Sequence, residues 1–272
     1  MTVLHALVLG VIQGLTEFLP ISSSGHLLII PKLLGWAEQP LVFDTTLHLA
    51  TALALLVCFW KDIVRIAGAF FNDVFSSHKF SLIDYSLDST LGLKIIVSAL
   101  PVCIIGFLFG TLIETNFRSL LVVAVFLILG SILMFIGEKR FEKRLLIKDE
   151  ISIGKSFGVG LFQVLSLFPG MSRSGATISG SMIFGLDRKE AAKFSFLVSI
   201  PVVLLAGFSK IASSYRYFAS VNMLPLFVAF VASFVIGLLS IKFLLKFVEK
   251  KSLYPFIVYR VVLAGILLLF LI

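Results

Sequence analysis

The sequence predicts an all-α polytopic membrane protein with six full spans plus two re-entrant helix-loop-helix segments, arranged as two inverted-topology repeats. Three observations predict it. The chain of 272 residues is 59% hydrophobic and only 14% charged, where soluble domains carry about 25% charge. Its mean hydropathy is +1.09, and apolar runs of about 20 residues, the length a helix needs to cross a bilayer, recur from end to end. Two polar stretches interrupt this pattern and echo each other at a constant offset of 150: Gly10 meets Gly160, Gln13 meets Gln163, Phe18 meets Phe168, Ser22 meets Ser172, Ser24 meets Ser174 and Gly25 meets Gly175.

The segment 3–30 comes first. It is apolar but carries Glu17, His26 and three serines together with Pro20 and Gly25. No basic stretch precedes it, so it does not read as a signal peptide. It reads as a pair of half-helices, since broken backbone at membrane depth is tolerated where it lines a cavity or is buried in protein. Spans follow at roughly 41–60, 91–112 and 118–137. The segment 155–186 repeats the broken pattern, and spans at roughly 192–210, 222–242 and 254–272 complete the chain. None of the alternating ~10-residue segments of a transmembrane β-barrel is present. The whole of 1–272 is expected to form one integral membrane domain, with repeat halves of about 1–140 and 151–272 joined by a basic linker at about 138–155.

Charge sets the sidedness. The linker holds Lys139, Arg140, Lys143, Arg144, Lys148 and Lys155, and 243–253 adds Lys246, Lys250 and Lys251. Arg188, Lys189 and Lys193 lie in a third basic turn, and Lys61, Arg65 and Lys79 in a fourth. The other side has only Lys32, Arg118, Lys210 and Arg216. The positive-inside rule puts the first set in the cytoplasm. The formal net charge of +8 is therefore a topology signal, and no nucleic-acid partner is expected. Each half has one re-entrant segment and three spans. Three is odd, so the halves are inverted and their loops enter from opposite sides to meet near the midplane. Cys58 and Cys103 sit in apolar runs and are expected to be buried thiols, neither paired nor metal-bound.

The polar loops carry the chemistry. Gln13 and Glu17 stand at i and i+4, on one helix face. Glu17 is a candidate general base or divalent-metal ligand; Gln13, being neutral, is a weaker ligand candidate. Ser22, Ser23 and Ser24 precede a half-helix whose N-terminal N–H groups form an anion pocket. His26 could act as nucleophile, base or ligand. His5, His48 and His78 lack such company, although His48 follows Asp44 at i+4 and is a supporting candidate. In the second loop Gly170 allows close backbone approach, Arg173 offers a planar cationic fork matched to phosphate oxygens, and Ser172, Ser174 and Thr177 add hydroxyls. One loop thus offers a carboxylate, hydroxyls and an imidazole, and the other a cation and an anion-binding turn. The chemistry that follows is phosphate hydrolysis, and a site inside a membrane points to a lipid phosphate.

With these residues in view, the chain resembles a known family. Gln13-Gly-Leu-Thr-Glu17 fits an (E/Q)xxxE motif and Pro169-Gly-Met-Ser-Arg-Ser-Gly-Ala-Thr177 fits PGxSRSxxT, with Ser22-Ser-Ser-Gly-His26 between them. These resemble the undecaprenyl-diphosphate phosphatase (bacitracin-resistance) family over the full chain. The resemblance implies hydrolysis of undecaprenyl diphosphate to undecaprenyl phosphate and inorganic phosphate, recycling the lipid carrier of cell-wall synthesis. It also implies residence in the bacterial plasma (inner) membrane, an outward-opening site, a divalent cation such as Mg2+ or Ca2+, and a homodimer. Position by position it makes Glu17, His26, Ser23 and Arg173 catalytic, with Gln13, Ser22, Ser24, Gly170, Ser172, Ser174 and Thr177 at the diphosphate. One departure is Gln13, where many members have Glu. The attacking group stays open between Ser23, His26 and water. The competing reading is a transporter or flippase of the lipid phosphate, favoured by inverted repeats alone. An ion channel is disfavoured because no charged ring or filter-like sequence occurs.

Overall fold

The computed structural model describes residues 1–37, 39–76, 85–143, 151–214 and 222–271. His78, Lys79, Arg144, Lys148 and Arg216 lie outside them. Among the described residues there are eleven α-helices and no strand: α1 Val3–Phe18, α2 Ser23–Leu33, α3 Leu41–Cys58, α4 Trp60–Phe71, α5 Leu87–Asn116, α6 Leu120–Lys143, α7 Ile153–Val164, α8 Arg173–Ile183, α9 Arg188–Ser214, α10 Met223–Val248 and α11 Tyr254–Leu271. A π turn at Asn72–Ser76 extends α4, and a 3-10 turn at Leu165–Leu167 extends α7.

Five of these helices are singly long and apolar enough to span a bilayer: α5, α6, α9, α10 and α11. The sixth expected span, 41–60, corresponds to α3, which ends at Cys58, and the chain then bends by 71° into α4. The cause is visible in the sequence: from Trp60 on, Lys61, Asp62 and Arg65 make the helix amphipathic, so it turns out of the span direction. Asp62 pairs with Arg65 at 2.8 Å and with Lys193 of α9 at 2.9 Å. The cysteines differ from expectation: both are free but only half-buried.

The two re-entrant segments are local copies. Thr2 caps α1 by accepting from the His5 N–H, and Ser152 caps α7 by accepting from the Lys155 N–H. Both first helices stop short of their loops, and both second helices start at the same offset, at Ser23 and Arg173. Their N-caps are Ser22 (φ 75°) and Ser172 (φ 71°), the two non-glycine residues with positive φ among those described. Left-handed backbone is costly for serine. Here the cap bond repays part of that cost, the hydroxyls accepting from Gly25 N and Gly175 N at 3.3 and 3.2 Å. Gly35 and Gly185 then end both second helices with positive φ.

Helix packing follows the same exchange. α1 lies along α10 and α7 along α5; α3 packs on α10 and α9 on α5; α3 meets α9 and α6 meets α11. Swapping the halves exchanges the α1–α10 contact with α7–α5 and the α3–α10 contact with α9–α5, while α3–α9 and α6–α11 map onto themselves. Small residues permit the close approach. Gly10 and Gly14 of α1 face Ala229, Ser233 and Gly237 of α10; a Cβ on Gly14 would lie 2.8 Å from Ser233 O and 2.9 Å from Gly237 N. Gly160 of α7 likewise lies against the Ser98 carbonyl of α5, and Ser98 Oγ donates to Ser156 O at 2.5 Å. Gly14→Ala should therefore lower the thermal midpoint in detergent, because overpacking by about 1–3 kcal/mol outweighs the ~1 kcal/mol helix-propensity gain. Gly110→Ala, where nothing lies within 4 Å, should leave the midpoint unchanged or raise it. Equal midpoints for the two variants would contradict this packing.

At the basic end, the fully buried Glu138 of α6 binds three elements together. Arg188 of α9 donates to it from Nε at 3.0 Å and through Nη2, and Leu253 N donates at 2.6 Å just before α11. Arg188 also lies 4.3 Å over the Phe141 ring.

Candidate active site

The breaks between α1 and α2 and between α7 and α8 come together, and Glu17 is their hub. It sits on the last turn of α1, 7% exposed. Its Oε1 accepts from Arg173 Nη2 at 2.8 Å. Its Oε2 accepts from Ser23 Oγ at 2.6 Å and from Gln13 Nε2 at 3.1 Å. The i, i+4 spacing of Gln13 and Glu17 does what helix geometry requires. Arg173 comes from the other half of the chain, as the first residue of α8. Its Nη1 reaches the Ser199 carbonyl of α9 at 3.4 Å. Arg173 is 15% exposed, so its fork is partly shielded and partly open, and Glu17 supplies the counter-charge.

The imidazoles are placed differently from the sequence expectation. His26, which the sequence places in the same polar loop as Glu17, bonds other partners. Its Nδ1 donates to the Ser22 carbonyl at 2.7 Å, and its Nε2 meets the Tyr259 hydroxyl at 2.6 Å. The reason is helical periodicity: His26 lies four residues after the cap, so its ring folds back on the cap carbonyl. With Nδ1 as donor, the neutral ring accepts at Nε2 from tyrosine. The imidazole beside Glu17 is His48 of α3, whose Nε2 lies 4.0 Å from Oε2. Its Nδ1 donates to the backbone oxygen of Asp44 at 2.8 Å, which fixes the ring. His48 is one-third exposed, so it is open to solvent as well as to the carboxylate.

The remaining hydroxyls sort into two groups. Ser22 and Ser172 serve as caps, and each also pairs with the hydroxyl two residues on, Ser24 at 3.3 Å and Ser174 at 3.1 Å. Ser174 Oγ donates across the breaks to Leu19 O at 3.2 Å. Thr177 is fully buried, donating to Arg173 O at 2.8 Å and pairing with Ser195 Oγ of α9. Ser172, Ser174 and Thr177 therefore hold the turn in shape. The accessible face is Ser24, Ser23 and the Arg173 fork. In each second helix the cap engages the third and fourth amides. The amides of Ser23, Ser24, Arg173 and Ser174 are thus at the open helix ends, two anion-binding N-termini facing one carboxylate. Gly170, with φ 99°, lies against the Val123 backbone of α6, where a Cβ would sit 2.5 Å from Val123 O. Its lack of a side chain seats the second break against α6.

For a divalent cation the donor set is partial. Among the described residues no group of three His, Cys, Asp or Glu side chains forms a metal site. Gln13 Oε1, however, is buried without a partner beside Glu17. A carboxylate and a free amide oxygen are hard donors, a pair that suits Mg2+ or Ca2+ when phosphate oxygens complete the shell.

Two residues were not singled out from the sequence: Tyr259, which orients His26, and Arg260, which reaches both breaks. The signal was there, since an arginine inside the apolar run 254–272 is expensive unless it is used.

The bacitracin resistance protein family, BacA, matches residues 6–266. The chain belongs to this family. Its relatives include an undecaprenyl-diphosphatase of Pelobacter propionicus, 42% identical over 97% of this chain and 96% of the relative. Another from Chloroherpeton thalassium is 41% identical over 98% and 96%, and one from Campylobacter curvus 37% identical over 99% of both. The resemblance drawn from the two motifs is thus borne out across the whole length of the family.

Proposed function

We propose that the protein hydrolyses undecaprenyl diphosphate to undecaprenyl phosphate and inorganic phosphate, the reaction named for its relatives. The observation that carries this reading is the meeting of Arg173 with Glu17 and Ser23 between two helix N-termini. The helix ends and the guanidinium bind the diphosphate oxygens and offset the charge that develops during in-line displacement. Ser23 Oγ, hydrogen-bonded to a carboxylate, is the attacking group: its proton passes to Glu17, an Oγ–P bond forms at the terminal phosphorus, and the bridging P–O bond breaks to release the lipid phosphate. The departing lipid phosphate takes the proton back from Glu17; water then attacks the phosphoserine phosphorus, giving its proton to Glu17, and the Oγ–P bond breaks, with Ser23 regaining a proton from Glu17 as inorganic phosphate leaves. Glu17 and Gln13 Oε1 are the groups that would hold a divalent cation, which would supply further positive charge against the anionic diphosphate. Residence in the bacterial inner membrane, with the site open to the outer side, is part of this proposal, as the family resemblance implies.

Purified protein in detergent should release inorganic phosphate from a prenyl diphosphate with no ion gradient present. The Ser23→Ala variant should retain binding while losing turnover. A folded wild-type protein that releases no phosphate would reject the enzyme reading in favour of a lipid carrier.

A further inference from the structure

Arg260 of α11 is fully buried. All its hydrogen bonds among the described residues go to uncharged oxygens. Nε donates to Leu127 O and Ser131 Oγ on α6, both at 3.3 Å. Nη1 donates to Pro20 O at 3.1 Å. Nη2 reaches Phe126 O and Leu127 O at 3.2 Å, Gly170 O at 3.1 Å and Met171 O at 3.0 Å. Pro20 and Gly170 are the breaks themselves, at the same offset of 150 in the two halves. One guanidinium therefore ties both re-entrant loops to α6.

The room for it is built in. Gly130 of α6 lies so close that a Cβ there would collide with Nη2, and would sit 2.8 Å from Met171 O. The position an added Cβ would take on Gly175, in the anion-binding turn, is 3.5 Å from Nη1. The cation thus stands directly behind the turn where phosphate binds.

Carbonyls at a chain break have lost their helical donors, and inside a membrane they need others. A planar fork with five N–H groups can serve several at once; an ammonium cannot match that spread. Burying a cation without a counter-charge is costly, and an apolar side chain in its place would leave those carbonyls unpaired.

We propose that Arg260 is a positioning residue for the reaction proposed above. It holds the two breaks in the register that lets Arg173 meet Glu17 and Ser23, and its unneutralised charge raises the affinity of the adjoining turn for the anionic headgroup. The inference rests on that reading of the site.

Two substitutions separate the roles. Arg260→Lys keeps the charge and loses the fork; Arg260→Met loses both. Phosphate release from a prenyl diphosphate is measured per folded protein, with folding followed by gel filtration and thermal midpoint. Arg260→Lys should lower kcat by about tenfold or more with KM within about threefold, as expected when reacting groups are displaced by a fraction of an ångström. Arg260→Met should lower kcat similarly and also raise KM by about tenfold, the loss of one charge–anion interaction of about 1.4 kcal/mol. If neither variant accumulates folded, Gly130→Ala, which crowds the guanidinium away from Met171 O, should lower the thermal midpoint and also lower kcat per folded molecule. Turnover within twofold of wild type in the folded variants, or a loss that only tracks the folded fraction, would overturn the proposal. Should wild type itself release no phosphate, the enzyme reading fails instead, so the two failures are distinguishable.

Discussion

Arg173→Lys is expected to reduce phosphate release by ~10²–10³-fold, the usual cost of removing one preorganised donor to developing charge. The fork is what matters. Nη2 is 2.8 Å from Glu17 Oε1 while Nη1 reaches Ser199 O at 3.4 Å, so one planar group touches α1 and α9 from the start of α8. Lysine keeps a positive charge but offers a single point from which to reach both, and it cannot grip a phosphate in two places. The fall should appear mainly in kcat, since the helix N-termini still attract the headgroup. The measurement is steady-state phosphate release in detergent micelles. Near-normal kcat in a folded Arg173→Lys protein would remove Arg173 from the chemistry.

Glu17→Gln should be at least as damaging, for a different reason. The isosteric amide keeps the shape of the site, yet it removes the proton acceptor for Ser23 and the counter-charge for Arg173 together. General base loss alone is about 10²–10⁴-fold. Breaking a buried ion pair from one side adds about 3–5 kcal/mol of strain from the stranded cation, so the thermal midpoint should fall as well. The double variant Glu17→Gln with Arg173→Gln removes that stranded charge. It should recover part of the midpoint while staying inactive, and this recovery is the check on the pairing. A double variant no more stable than Glu17→Gln would show that the 2.8 Å contact contributes little to the fold.

The sequence motifs led to most of this site because they report local geometry. Gln13 and Glu17 share a helix face by spacing alone, and the serines at 22–24 stand just before the half-helix whose N-terminus their hydroxyls can cap. The repeat offset was equally local, and it carried through to the helix starts and to the paired positive φ values at Ser22 and Ser172. Where the reading diverged, the deciding interaction was long-range. His26 was grouped with Glu17 because they are close in sequence, yet the ring turned back to Ser22 O and to Tyr259, 233 positions away. His48 took the place beside Glu17 because α3 packs along α10, where α1 also lies.

The amino-acid order alone determined that this chain crosses a membrane repeatedly, that it is built twice over, and that each copy is broken at a proline-bearing loop, because hydropathy, charge and capping act over a few neighbouring residues. Only the packed structure decided which groups from the two copies touch. That choice depends on glycine-lined contacts of α1 with α10 and of α7 with α5, and on one buried guanidinium at Arg260, whose partners are carbonyls that no side-chain pattern reveals.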